Sequence, residues 1–373
     1  MGTVSALPGL YVHVPFCRGK CAYCDFYSEP SHALASRWVD AVLREADLYR
    51  DLFSRFDTLY LGGGTPSLLS GEDLGRLLKG LRERFSFESD TEITLEANPD
   101  DVAPERAALW RALGINRLSL GVQSSDEAML RLLGRRHTVS QAAAAVETAR
   151  RAGFSNLGLD LMWGLPGQTL AHWQDTLEWA LAFSPEHLSC YELTLERGTP
   201  LQERALRGEL ALPPEEESRR FFVTTSRLLE TRGYVHYEIS NFARADTRRS
   251  RHNQKYWHHV PYLGLGPSAH SFDGRRRWWN VRSVRAYCER LEAGGTPVAG
   301  EEVPGPEERR LEALLLGFRT REGVPLHLVG ESHRVRRAVD AAVADGLLEL
   351  AGGRLRPTLA GWLVADRLPL LFD

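Results

Sequence analysis

Three cysteines stand close together, Cys17, Cys21 and Cys24, in the string YVHVPFCRGKCAYCDF. The spacing C-x3-C-x2-C supplies three thiolates, one short of the set that saturates a four-iron cluster. A cubane held by three thiolates keeps one iron without a protein ligand, and an open metal position is where metal chemistry happens. Two blander chemistries use the same residues. Zinc would need a fourth ligand, for which His13 is nearest, and a C-x2-C unit alone is often structural zinc or a redox pair. Cys190 and Cys288 are isolated in the sequence and read as ordinary buried thiols.

Other strings carry chemistry-bearing residues at the ends of apolar runs. LGGGTPS, Leu61–Ser67, contains Gly63, Gly64 and Thr65, where backbone N–H groups can approach a ligand closely. LEANP carries Glu96, RLSLGVQS carries Gln123, LLGRRH carries Arg135 and DLMWGLPGQT carries Asp160. A carboxylate at a strand end is either a ligand contact or a structural hydrogen bond. HNQKYW, His252–Trp257, offers an imidazole (His252), an amide (Asn253) and two aromatics (Tyr256, Trp257) within one turn or two of chain. Imidazole is a common axial ligand of haem iron, whereas an aromatic core segment with one satisfied histidine is the ordinary alternative. His258 and His259 follow directly, so the choice among the three imidazoles stays open.

These residues need a scaffold that gathers strand ends. Tyr11–Phe16 alternates and is rich in β-branched and aromatic residues, so it reads as a strand stopped by Pro15. Further strand-like runs lie near 57–62, 91–97, 116–122, 156–163 and 187–194, with helical runs near 33–54, 71–84, 104–113, 139–152 and 170–183 between them. Thr138 and Gln141 form a capping box at the start of the run at 139–152, and Gly153 follows its end. Alternating strands and helices predict a parallel sheet with right-handed crossovers. Eight repeats would close a barrel and six are found, so the fold class is α/β, an open (β/α)6 partial barrel. The cysteine loop, LGGGTPS, Glu96 and Gln123 then fall at the C-terminal ends of successive strands, where barrel loops collect active sites.

The string around the cysteines resembles the cluster loop of radical S-adenosylmethionine (SAM) enzymes, and more narrowly the coproporphyrinogen-oxidase-like branch that includes HemN and HemW. The resemblance runs through almost the whole chain. It implies a [4Fe-4S] cluster on Cys17, Cys21 and Cys24, with SAM chelating the open iron and cleaved there to a 5′-deoxyadenosyl radical. It implies Tyr11 and Tyr23 beside SAM, Gly63, Gly64 and Thr65 along its methionine amino group, Glu96 hydrogen-bonding it, and Gln123, Arg135 and Asp160 near a second SAM site. HNQKYW resembles the HNxxYW signature of the HemW branch of haem chaperones, flanked by matching YEISNFA and GLGPSAHSF. This implies haem as a ligand, with His252, Asn253, Tyr256 and Trp257 binding or orienting it, and a haem-acceptor protein such as a respiratory haem enzyme or a ferritin-like partner. The HemN branch has an extra cysteine two positions past the third, where this chain has Phe26. That departure argues against the alternative activity, oxygen-independent coproporphyrinogen III oxidation, and leaves enzymatic turnover open.

Composition sets the remaining bounds. The chain has 373 residues, 43% hydrophobic, with a net charge of −3, enough for a large core and no argument for nucleic acid. No apolar run reaches bilayer length, and five cysteines without a disulfide pattern suit a reducing, cytoplasmic setting. The expected division is a radical SAM core over 1–240, a segment with the HNxxYW motif over 241–297 and a C-terminal domain over 298–373. PVAGEEVPGPEERR reads as the last connector. Helices near 306–319 and 332–344, a hairpin about Gly352–Gly353 and a closing helix in TLAGWLVADRL suggest a small α+β, winged-helix-like domain without an evident basic recognition helix.

Overall fold

A computed structural model describes residues 5–372. Six strands pair in parallel in chain order: β1 (Gly9–Val14), β2 (Arg55–Gly63), β3 (Ser86–Ala97), β4 (Arg117–Gln123), β5 (Leu157–Trp163) and β6 (His187–Glu192). Between them run α1 (Ala35–Leu48), α2 (Gly71–Arg84), α3 (Pro104–Ala112), α4 (Glu127–Leu132), α5 (Val139–Arg151) and α6 (Leu170–Ala182). The strands are buried on both faces, as a parallel sheet under helices requires. One face carries the aligned row Val12, Leu61, Leu95 and Leu118, packed in one core with Trp38, Val42, Leu77 and Leu81 of the helices. The other face is polar and points into the barrel.

The capping box of α5 forms as expected, with Thr138 accepting from Gln141 N at 3.2 Å. The run expected as a helix over 33–54 stops at Leu48. Tyr49 and Phe53 keep helical spacing but belong to a turn, buried against Trp278.

After β6 come α7 (Pro200–Leu206), α8 (Glu215–Thr231), β7 (Val235–Glu238), β8 (Asn241–Ala243), α9 (Arg251–Trp257), β9 (Tyr262–Leu265), β10 (His270–Phe272), β11 (Arg277–Asn280), α10 (Val284–Glu292) and β12 (Val298–Glu302). The expected six parallel strands become seven, because β9 pairs in parallel with β1. YLGL is too short and too rich in glycine to announce itself as a strand. The sheet runs β12-β11-β10-β9-β1-β2-β3-β4-β5-β6-β8-β7, so its two edges do not meet and the barrel is open.

The C-terminal unit contains α11 (Pro306–Gly317), β13 (Val324–Pro325), α12 (Leu326–Val329), α13 (His333–Ala344), β14 (Leu348–Ala351), β15 (Arg354–Pro357) and α14 (Leu359–Trp362). This is the element order of a winged helix, with its own apolar cluster of Leu314, Phe318, Val329, Leu348 and Leu355. Two expectations are corrected here. The closing helix is a single turn followed by 3-10 turns over Ala365–Phe372, which contain Pro369. And α13 does expose basic residues, Arg334, Arg336 and Arg337 in its first half, followed by the acid Asp340.

Helix α9, the HNQKYW segment, packs into the N-terminal end of the barrel. Its Lys255 Nζ lies 2.6 Å from Asp57 Oδ1 and donates to Leu7 O at 2.6 Å, with both charged groups almost wholly buried. Burial pushes the lysine down from its usual value, and the aspartate opposes that. Removing one partner of a buried pair leaves an uncompensated charge. Lys255→Met is therefore expected to lower unfolding free energy by about 3 kcal/mol in urea denaturation. A loss within roughly 0.5 kcal/mol would mean the pair does not hold this end of the barrel.

Candidate functional site

The loop after β1 is pinned by backbone bonds rather than by regular structure. Cys17 N donates to Glu29 O at 3.1 Å and Glu29 N to Pro15 O at 2.7 Å, closing the loop at its base. Ala22, between the second and third cysteines, donates to Leu133 O at 3.0 Å and accepts from Leu201 N at 2.9 Å. Gly134 follows with φ +71°, a left-handed conformation that favours glycine, and packs against Ala22. The LGGGTPS strand end runs alongside: Gly64 N donates to Val14 O at 2.8 Å and Thr65 N to Phe16 O at 2.7 Å. A Cβ at Gly64 would stand 2.6 Å from Phe16 O, so this close approach admits only glycine.

Above these strands lies a cavity of about 680 Å³, lined by Cys17, Cys21 and Cys24. Tyr23, Gly63, Gly64, Thr65, Glu96, Gln123, Arg135 and Asp160 line it too. Eight of the expected cofactor residues thus share one cavity with the three thiols. The other five do not reach it. Tyr11 lies one layer deeper, its hydroxyl 3.1 Å from His13 Nδ1. His252, Asn253, Tyr256 and Trp257 are on α9 at the opposite end of the barrel.

His252 is enclosed there, 1% exposed, with Nδ1 2.8 Å from Thr58 Oγ1 and Nε2 2.8 Å from Tyr256 OH. Burial pushes its pKa down to about 3. Both ring nitrogens are occupied, so the imidazole is not presented to a ligand. In this structure His252 and Tyr256, both expected at the haem, are bonded to each other.

Polar contacts tie the cavity wall together. Thr65 Oγ1 donates to Cys17 Sγ at 3.4 Å and accepts from Asn98 Nδ2 at 3.3 Å. Arg135 donates to Asn98 Oδ1 at 2.6 Å, to Gly121 O at 2.5 Å and to Cys21 Sγ at 3.5 Å. Its Nε is buried without a partner, a donor kept beside the cysteine loop. Gln123 sits at φ +71°, where β4 shifts register against β5, an uncommon conformation for a side-chain-bearing residue and one that clusters at functional sites. Glu96 accepts from Tyr60 OH at 2.8 Å and Gly63 N at 3.2 Å. Burial pushes its pKa up to about 7, against those two donors. Asp160 accepts from Ser119 Oγ at 3.1 Å and is likewise raised by burial.

Sequence reading missed Asn98, Tyr60 and Ser119. Asn98 was within the LEANP motif, two residues past Glu96. Strand alternation could have aimed Tyr60 and Ser119 inward, but their partners lie on neighbouring strands.

The Radical SAM superfamily profile matches residues 11–180, and the HemN C-terminal domain profile matches 305–364. A protein of Mycobacterium tuberculosis named heme chaperone HemW is 39% identical over 96% of this chain and 93% of its own length. The heme chaperone HemW of Bacillus subtilis is 35% identical over 91% and 90%.

This chain belongs to the HemW family of radical SAM proteins.

The solved structure of coproporphyrinogen III oxidase (HemN) from Escherichia coli matches with a TM-score of 0.83, covering 99% of this chain and 91% of that one at 24% identity, a likeness of fold. Membership of the radical SAM superfamily implies a [4Fe-4S] cluster and SAM. The residues fit both. Three thiols on one loop open onto the cavity, a glycine cradle lies beside them, and an orphaned arginine donor and raised carboxyls face inward. Among the described residues no three His, Cys, Asp or Glu side chains are arranged around a single ion. A cubane spreads its ligands over three irons and does not require such convergence. Likewise, no helix among the described residues is long and apolar enough to cross a membrane.

Proposed function

We propose that this protein is a haem chaperone that carries a [4Fe-4S] cluster and SAM and holds haem for transfer to an acceptor protein. The observation that carries this reading is near full-length similarity to proteins named as HemW haem chaperones, joined to an intact three-cysteine loop at the cavity mouth. Cys17, Cys21 and Cys24 would hold the cluster. Tyr23, Gly63, Gly64, Thr65, Glu96, Gln123, Arg135 and Asp160 would hold SAM. The bound cluster supplies the low-potential electron that reductive cleavage of a sulfonium requires; the chain supplies binding, orientation and exclusion of water.

Arg135 would balance thiolate charge near Cys21, and its reach to Asn98 and Gly121 would fix the cavity wall. The acceptor is a protein that takes haem, such as a respiratory haem enzyme, with a ferritin-like protein as the alternative partner. Phe26, at the place of the additional HemN-branch cysteine, is 68% exposed at the cavity rim. Anaerobic incubation of reconstituted protein with SAM, reductant and coproporphyrinogen III should yield no protoporphyrinogen.

With His252 enclosed, the haem ligand of this segment is assigned to the two partly exposed imidazoles that follow, His258 and His259. Burial lowers both, which keeps them neutral and able to coordinate iron near pH 7. Trp257 and Asn253, also partly exposed, would flank the haem face. Haem titration followed by absorbance should show at least a roughly tenfold weaker affinity in the His258→Ala, His259→Ala double variant. Unchanged affinity would remove both residues from the haem site. Absence of haem binding by the wild type would defeat the chaperone reading itself.

A further inference from the structure

Three inward rows of side chains connect α9 to the cavity. The lowest row, Gly9, Thr58 and Glu92, grips the helix. Thr58 Oγ1 bonds His252 Nδ1, Glu92 Oε1 accepts from His252 N at 3.2 Å, and a Cβ at Gly9 would stand 3.0 Å from the imidazole. The middle row is Tyr11 and Tyr60, paired in register. The Tyr60 ring is stacked on His252 at 5.1 Å between centroids and 27° between planes, and Tyr11 lies 6.2 Å from Tyr60 and 6.3 Å from His252. The upper row is Gly62 and Glu96. Tyr60 OH donates to Glu96 Oε1, and a Cβ at Gly62 would strike Tyr60, Glu96 and Tyr11 together.

This stack is close-packed. Glycines stand where a methyl group would collide, and the imidazole is fixed by hydroxyls at both nitrogens. Tyr60 has one face on His252 and its hydroxyl on Glu96, so displacement of the imidazole must tilt the phenol away from the carboxyl. We propose that His252 is a positioning residue for the SAM pocket: it forms the floor on which Tyr60 rests, and through Tyr60 it aims Glu96 into the cavity. The HNxxYW helix thereby serves the cofactor end of the barrel from the opposite end, with no contact to the cofactor. The inference rests on the reading that the cavity binds SAM.

The test compares SAM affinity of anaerobically reconstituted full-length protein, read by equilibrium dialysis with labelled SAM, for wild type, His252→Ala and His252→Phe. A flat ring that cannot coordinate iron or bond Thr58 should still support Tyr60. The expected result is about a tenfold loss for the alanine variant, recovered to within roughly threefold by phenylalanine, with haem affinity unchanged in both. A further substitution, Tyr60→Phe, should weaken SAM binding alone, and combined with His252→Ala should add little, because both act on one bond. Wild-type SAM affinity in His252→Ala, or no recovery by phenylalanine, overturns the positioning role. Loss of haem affinity in His252→Phe also overturns it and returns the residue to the haem site. If either His252 variant fails to fold, Tyr60→Phe still reports whether this layer serves SAM, and unchanged affinity there overturns the proposal. Failure of the wild type to bind SAM would sink the underlying reading instead.

Discussion

Cys21→Ala should leave anaerobically reconstituted protein with less than about a tenth of wild-type iron and acid-labile sulfide, and no visible sulfide-to-iron charge-transfer absorbance. The expectation follows from ligand count. With three protein thiolates the cluster already lacks one ligand, and a second vacancy leaves two irons held only by bridging sulfide and solvent. The fold should survive. Cys21 is only partly buried, and the loop around it is held by backbone bonds from Cys17, Ala22 and Glu29 that an alanine does not touch. Circular dichroism should therefore be unchanged while metal content collapses. Cys190→Ala is the control: that thiol is a buried residue of β6, burial raises it well above the ordinary thiol range, and it is absent from the cavity lining. Its loss should leave iron content intact. Wild-type iron in Cys21→Ala would mean that the three cysteines do not form the ligand set, and the cofactor assignment would fall with it.

What the sequence disclosed and what it withheld divide along a physical line. Features written within one stretch of chain were legible. The capping box of α5 needs only Thr138 and Gln141, and the glycines of LGGGTPS mark a close approach wherever they fold. Strand ends were legible too, so Glu96, Gln123 and Asp160 could be assigned to one rim before any geometry was known. Relations that depend on register between distant strands were not. Tyr60 matters because it meets Glu96, on the neighbouring strand, and Asn98 because Arg135 reaches back to it.

HNQKYW is the sharpest case. Its composition describes a ligand site and a packed helix equally well. Only the convergence of Gly9, Thr58 and Glu92 on α9 reveals that the imidazole is spent on the barrel interior. Likewise β9 could not be read as a strand from YLGL, because what stabilises it is pairing with β1, nearly the whole barrel away in sequence.

Glu96→Gln should weaken SAM binding by about a hundredfold at pH 8 and by only about tenfold at pH 6. The side chain is nearly isosteric, so the change tests charge rather than shape. SAM brings a positive sulfonium and N–H donors, and only the ionised carboxyl answers them fully. Burial raises Glu96 to about 7, more strongly than Tyr60 and Gly63 lower it. An acid with a raised pKa is mostly ionised at pH 8, about nine parts in ten, and mostly protonated at pH 6, about one part in ten. The advantage of wild type over the glutamine variant must therefore shrink roughly tenfold as pH falls through that window. Titration of SAM itself contributes equally to both proteins and cancels in their ratio. Tyr60→Phe removes a donor that favours the ionised form, so it should move the midpoint of this dependence upward in pH. A ratio that stays constant from pH 6 to pH 8 would show that Glu96 does not change charge there, and the pH-dependent part of its grip on SAM would fall.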